Sequence, residues 1–236
     1  MSDTLKNNRF VAALELGLAL LFILNFKPFL DQFFWKYAGP ATLAVTLTII
    51  TIYLHRRGET WASLGLRSLP SWKSILLVLP QTLLAVVAII GTGAGMAFGG
   101  DALGLWDVSA TPEGVEDRWG DIEGNLTMYL VWLGLSWISA GFGEELFFRA
   151  FMISRAERIF KGIPFALFFA ILIPALIFGY VHYYYQGFRG LIVTGMIGLM
   201  LGLLYLLYKR NLWPLILAHG IVDSIGFTAM YLNLDV

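Results

Sequence analysis

Residues 74–98 read SILLVLPQTLLAVVAIIGTGAGMAF, a run without a single Asp, Glu, Lys or Arg. A helix rises about 1.5 Å per residue and the bilayer's hydrocarbon core is about 30 Å thick, so roughly 20 such residues complete a crossing. Working outward, six more stretches approach or exceed that length, at about 10–26, 37–54, 126–152, 163–185, 190–208 and 213–232. The expected fold is therefore all-α, a polytopic transmembrane bundle of about seven spanning helices in one integral membrane domain over residues 1–236. Residues 58–73, with Trp61, Leu64, Leu66, Leu69 and Trp72 set among Arg and Ser, suit a segment lying at the membrane interface.

Composition agrees with residence in lipid. Hydrophobic residues make up 58% of the chain and charged residues only 14%, with a mean hydropathy of +0.73. The formal net charge is zero, which leaves no global field to attract nucleic acid. The absence of cysteine excludes disulfide frameworks, thiolate metal sites and cysteine nucleophiles. The apolar run that begins near Phe10 lacks a small-residue cleavage pattern and reads as a retained anchor. Cytoplasmic loops should hold the excess of Lys and Arg. With the N-terminus inside, Lys6, Arg9, Arg56, Arg57, Arg67, Lys73, Arg155, Arg158, Lys161, Lys209 and Arg210 fall inside, against Lys27, Lys36, Arg118 and Arg189 outside. The same assignment puts the acid-rich stretch 101–123 outside. A multi-pass protein of a bacterial plasma membrane is the expectation. Gly195, Gly198 and Gly202 let helix backbones approach closely, and intramolecular packing is their expected use.

An ionisable group in mid-membrane costs roughly 2.5 to 3.5 kcal/mol on insertion scales, so each needs a partner or a task. Such groups cluster in three places: Gly143-Glu144-Glu145-Leu146-Phe147-Phe148-Arg149, Phe178-Gly179-Tyr180-Val181-His182, and His219-Gly220-Ile221-Val222-Asp223. Residues four apart share a helical face. Glu145 and Arg149 can therefore neutralise each other, which leaves Glu144 free for chemistry. By the same spacing Asp223 is expected to orient the His219 imidazole, and Phe178 to pack on His182. Glu144 and His182 lie at similar distances from a turn near 161–163, so they can meet. His219, only a few residues past Lys209-Arg210, would sit roughly 10 to 15 Å too low on straight helices. Tilt, a break near Pro174 or Gly179, or a recessed turn around Trp213-Pro214 must correct this.

These motifs resemble the three signatures of the CPBP intramembrane proteases, a family that includes type 2 CAAX prenyl endopeptidases and bacteriocin-processing or self-immunity proteins. Its pattern of Glu-Glu-x-x-x-Arg, Phe-x-x-x-His and His-x-x-x-Asn or Asp is matched by Glu144, Glu145 and Arg149, by Phe178 and His182, and by His219 and Asp223. Leu64-Gly65-Leu66-Arg67 also resembles a family feature. The third signature ends in Asp where the prenyl endopeptidases typically have Asn. The resemblance implies an intramembrane endopeptidase acting on a membrane-associated peptide or protein, with the signatures inside 126–232.

Peptide hydrolysis needs an activated water and a stabilised oxyanion. Glu144 is expected as general base, with His182 positioning the water and His219 facing the oxyanion or the leaving amine. Glu145, Arg149 and Phe178 support them. No cofactor is expected to be obligatory. Zinc or another divalent metal stays open, with Glu144, His182, His219 and Asp223 as its ligands, although a His-Glu-x-x-His motif is absent. A non-catalytic immunity or adaptor protein is the main rival. A proton-coupled transporter is a weaker one, since two similar halves are not visible. Glu15 is assigned no function, and Tyr183, Tyr184, Tyr185 and Trp213 read as interface anchors.

Overall fold

The computed structural model describes residues 8–234, so Lys6 lies outside the described residues. Within them the chain forms helices α1 (Arg9–Arg56), α2 (Trp72–Ala102), α3 (Glu113–Trp119), α4 (Leu126–Phe160), α5 (Ala166–Leu207) and α6 (Trp213–Tyr231), with short 3₁₀ turns at Trp61–Leu64 and Gly120–Ile122. All but α3 are long and apolar enough to cross a membrane. Their outward faces leave Leu21, Leu76, Leu83, Leu167 and Leu207 exposed, a display of large apolar side chains that suits lipid and not water. The protein is an all-α, multi-pass integral membrane bundle.

Two of these helices turn back on themselves. At Phe34 the backbone of α1 leaves the helical region (φ −160°, ψ 61°). Beyond it the chain reverses, because the Tyr53 hydroxyl donates to Glu15 (2.8 Å) and Arg57 pairs with the same carboxylate. In α5 the break falls at Gly187, whose φ of 64° and ψ of −159° lie in a region that only glycine occupies readily. Its arms, 166–186 and 188–207, then pack as a pair. Gly179 lies against the Leu191 carbonyl and Gly195, Gly198 against Ala175 and Phe178, and Gly202 against Ile171. The glycines of the second arm thus serve packing within the chain, as their spacing suggested.

Residues Ser136–Met152 of α4 are π-helical. Bonds from i to i+5 widen the turn and fit more residues into a given height than an α-helix does. Depths counted at a constant α-helical rise are therefore wrong across this stretch. Gly141 supplies the contact point with α6, since a Cβ there would stand 3.2 Å from the Gly220 nitrogen.

The depth of His219 is set at the other end of α6. The turn before it is recessed and covered: the Leu212 amide donates to the Gly65 carbonyl (3.2 Å), the Tyr205 hydroxyl to Leu64 (2.8 Å), Arg67 to Lys209 (2.6 Å) and the Trp213 indole to Arg67 (2.9 Å). The segment 61–67 lies beneath the turn, so it does not span. Pro214 then enters α6 in its first turn, where its missing amide hydrogen costs nothing. A covered turn before Trp213 is present, and among the described residues α5 has its non-helical backbone at Gly187 and not at Pro174 or Gly179.

At the same end of the bundle a buried ionic cluster ties α1 to α4. Glu15 accepts from Arg155 (2.7 Å) and pairs with Arg57, while Glu59 takes Arg158 (2.8 Å), Arg155 (3.4 Å) and Arg57 (3.6 Å). Burial works to raise the Glu59 carboxyl, but the Arg158 hydrogen bond and the charges of Arg155, Arg158 and Arg57 outweigh it and hold it below its ordinary value. Glu15 is thereby explained as a structural partner.

Candidate active site

Glu144, His182, His219 and Asp223 line one cavity of about 540 Å³, whose walls otherwise include Leu20, Leu43, Trp132, Leu135, Phe147, Ile197 and Phe227. Glu144 enters it from the π-helical part of α4, His182 from the first arm of α5, and His219 with Asp223 from α6. The expected pocket between the fourth, fifth and seventh segments is present, and it reaches further, to both arms of α1, to α2 and to the segment that carries Arg118. A volume of this size accommodates a short stretch of peptide together with water.

Inside the cavity the imidazole of His219 is the hub. Its Nδ1 donates to Glu145 Oε1 at 2.9 Å, and its Nε2 stands 4.0 Å from Glu144 Oε2 and 3.9 Å from Asp223 Oδ1. The orienting carboxylate is therefore Glu145, not Asp223 as the four-residue spacing suggested. Asp223 instead flanks the nitrogen that faces the cavity. Glu145 is fully buried and also pairs with Arg149 (3.1 Å), so the ion pair read from the sequence forms and extends to the imidazole. Arg149 is buried too, with its guanidinium 4.6 Å from the Phe178 ring centre. Phe178 thus separates Arg149 from His182, whose ring lies 4.6 Å away on centres.

The tautomer of His182 follows from its backbone contact. Its Nδ1 lies 2.7 Å from the Phe178 carbonyl, which can only accept, so the proton sits on Nδ1 and Nε2 carries a lone pair. Glu144 differs from its neighbour Glu145 in its surroundings: Glu145 Oε1 is held by His219 and Arg149, whereas Glu144 lines the cavity with its Oε2 making no hydrogen bond among the described residues. A turn of one position along the helix separates a structural carboxylate from an available one.

Three further residues belong to this cavity that spacing alone did not reveal. Arg118 of α3 is buried and donates to the Tyr184 hydroxyl (2.9 Å), and its guanidinium lies 4.9 Å from the Tyr185 ring centre, 5.2 Å from Trp119 and 5.4 Å from Trp132. Tyr184 and Tyr185 therefore face the cavity in part, and Tyr185 is buried, which an interface anchor would not be. Trp119, directly after Arg118 in a chain poor in charge, was the available signal. As they stand, no three His, Asp or Glu side chains among the described residues converge as a metal-ligand set. His219 Nδ1 is committed to Glu145, which leaves Nε2 as the nitrogen that faces the cavity.

Compared with known proteins, residues 126–225 match the family model for type II CAAX prenyl endopeptidase Rce1-like proteins. That span contains Glu144, Glu145, Arg149, Phe178, His182, His219 and Asp223. Neither the curated proteins nor the solved structures gave a match.

Proposed function

We propose that the protein is an intramembrane endopeptidase of the CPBP type, hydrolysing a peptide bond of a membrane-associated peptide or protein with a water activated by Glu144. The observation that carries this reading is the Glu144 carboxylate, whose Oε2 makes no hydrogen bond among the described residues, in a cavity shared with His182 and His219. A water held there has two hydrogens and meets two acceptors, the Glu144 carboxylate and His182 Nε2. That arrangement directs an oxygen lone pair at the substrate carbonyl.

The steps balance without an external reagent. Glu144 takes a proton from the water as its oxygen bonds to the carbonyl carbon, and the carbonyl oxygen becomes an oxyanion. His219, as an imidazolium with its Nδ1–H on Glu145, offers Nε2–H to that oxyanion. The carbon–nitrogen bond then breaks while Glu144 returns its proton to the leaving nitrogen. Asp223, 3.9 Å from His219 Nε2, balances the imidazolium charge, and Arg149 with Phe178 keeps Glu145 and His182 in place. No step is assigned to a metal.

Seven crossings with the N-terminus in the cytoplasm complete the reading. The reversals at Phe34 and Gly187 support it, because each arm of α1 and α5 reaches about 20 residues, the length of a crossing. In that orientation the ionic cluster lies at the inner end and Arg118 at the outer. Leu24 and Tyr180 line the cavity and are also exposed on the outer surface of the bundle, which favours lateral entry of a substrate from lipid.

The test is Glu144→Gln in the purified protein reconstituted in lipid. Cleavage of membrane peptides should fall by roughly 10² to 10⁴ while the thermal transition stays within a few degrees of the parent. Unchanged cleavage would remove Glu144 from the role of base, and no cleavage by the parent protein would favour an immunity or adaptor role.

A further inference from the structure

We infer that Arg118 is a recognition site for a carboxylate of the ligand that enters the cavity, an inference that rests on the hydrolase reading for the identity of that ligand as a peptide. Arg118 lines the same cavity as Glu144, His182 and His219, and only 6% of it is exposed. Its one hydrogen bond to a side chain goes to the neutral Tyr184 hydroxyl, and its Nε is buried without a partner among the described residues. Among the described residues no carboxylate pairs with it: Asp121 pairs with Lys36, Asp31 with Lys27, Glu145 with Arg149 and His219, and Glu144, in the same cavity, has His219 as its nearest cation.

A buried guanidinium without a counter-charge is costly, because the attraction of aromatic faces satisfies its charge only in part and leaves its N–H groups unused. Tyr184 fixes one edge of the guanidinium, while Trp119, Trp132 and Tyr185 crowd around its plane. The remaining edge is a planar fork of donors with fixed geometry, which matches a carboxylate. Two sources offer that group, the free C-terminus of a peptide and an Asp or Glu side chain. With a carboxylate seated on Arg118, the rest of the peptide extends along the apolar wall of Trp132, Leu135 and Phe227 toward Glu144.

Thermal stabilisation of the full purified chain by four small amphiphiles tests this. N-dodecanoylglycine carries a terminal carboxylate, N-dodecanoylglycinamide carries none, N-dodecanoyl-aspartic α-amide carries a side-chain carboxylate, and dodecyl phosphate carries a different anion. At least one carboxylate should stabilise the parent protein while the amide does not, and the stronger of the two identifies the source. Arg118→Gln should weaken the preferred carboxylate roughly ten- to hundredfold, with Arg118→Lys in between. Tyr184→Phe keeps the ring and loses only the acceptor, so it should weaken the carboxylate without unfolding the protein. Equal stabilisation by acid and amide, undiminished acid binding in Arg118→Gln, or a stronger effect of dodecyl phosphate would overturn the inference. Equal cleavage of peptides with and without the preferred carboxylate, terminal or side-chain, would overturn it while leaving the hydrolase reading intact. Arg118-dependent carboxylate binding by a protein that cleaves nothing would do the reverse.

Discussion

Two glutamates adjacent in sequence take different parts, and the difference is a matter of direction around one helix. Glu145 is buried against Arg149 and His219, whereas Glu144 faces the cavity. Glu145→Gln should therefore do two things. It leaves Arg149 as an uncompensated buried charge, worth about 3 to 5 kcal/mol of stability, and it frees His219 to rotate, which lowers turnover. Adding Arg149→Met to Glu145→Gln should restore much of the thermal stability, read by melting in detergent, but not the activity. A second residue-scale outcome concerns Glu59. Its carboxyl is held below its ordinary value in the folded state, so its contribution to stability is complete above the unfolded carboxylate value of about 4.3 and lost as pH falls through the lower folded one. The difference in melting temperature between the parent and Glu59→Gln should be steady near neutrality and shrink below about pH 4. The meeting of Glu144, His182 and His219 in one cavity was legible because charge and imidazole stand out in apolar helices. The partner of His219 was not, because spacing along one helix says nothing about a carboxylate arriving from the next.

Elements place those residues through a few close approaches. Gly114 of α3 lies against the backbone of Tyr185, at 2.7 Å from its carbonyl oxygen for an added Cβ. Gly114→Ala must push α3 outward and carry Arg118 with it, so any carboxylate preference should weaken while Glu144, His182 and His219 keep their contacts. Gly187 carries the reversal of α5 in a conformation that an L side chain rarely adopts. Gly187→Ala should cost about 1 to 3 kcal/mol and lower the yield of folded protein, measured by monodispersity and melting after extraction. The seven apolar stretches coincide with the arms and helices of the structure. The π-helical stretch of α4 and the recessed turn at 208–212 were invisible to a count of residues. Both depend on contacts from elsewhere, with α6 at Gly141 and with residues 61–67 beneath the turn.

At the scale of the whole molecule, charge is sorted between the two ends of the bundle. Arg57, Arg155 and Arg158 gather with Glu15 and Glu59 at one end, and Arg118 stands with the acid-rich stretch 101–123 at the other. The proposed orientation is directly measurable, because the chain has no cysteine of its own. In intact cells a membrane-impermeant thiol reagent should label Ser109→Cys and spare Lys161→Cys until the membrane is opened; the opposite pattern would invert the topology. The central claim is that one buried carboxylate in a shared cavity activates water for peptide hydrolysis. It is tested most directly by incubating the reconstituted protein with membrane peptides in H₂¹⁸O and reading the fragments by mass spectrometry. The account predicts new fragments bearing one ¹⁸O at the freed carboxyl terminus, made by the parent protein and absent with Glu144→Gln and His182→Ala. The same labelled fragments from Glu144→Gln would contradict it.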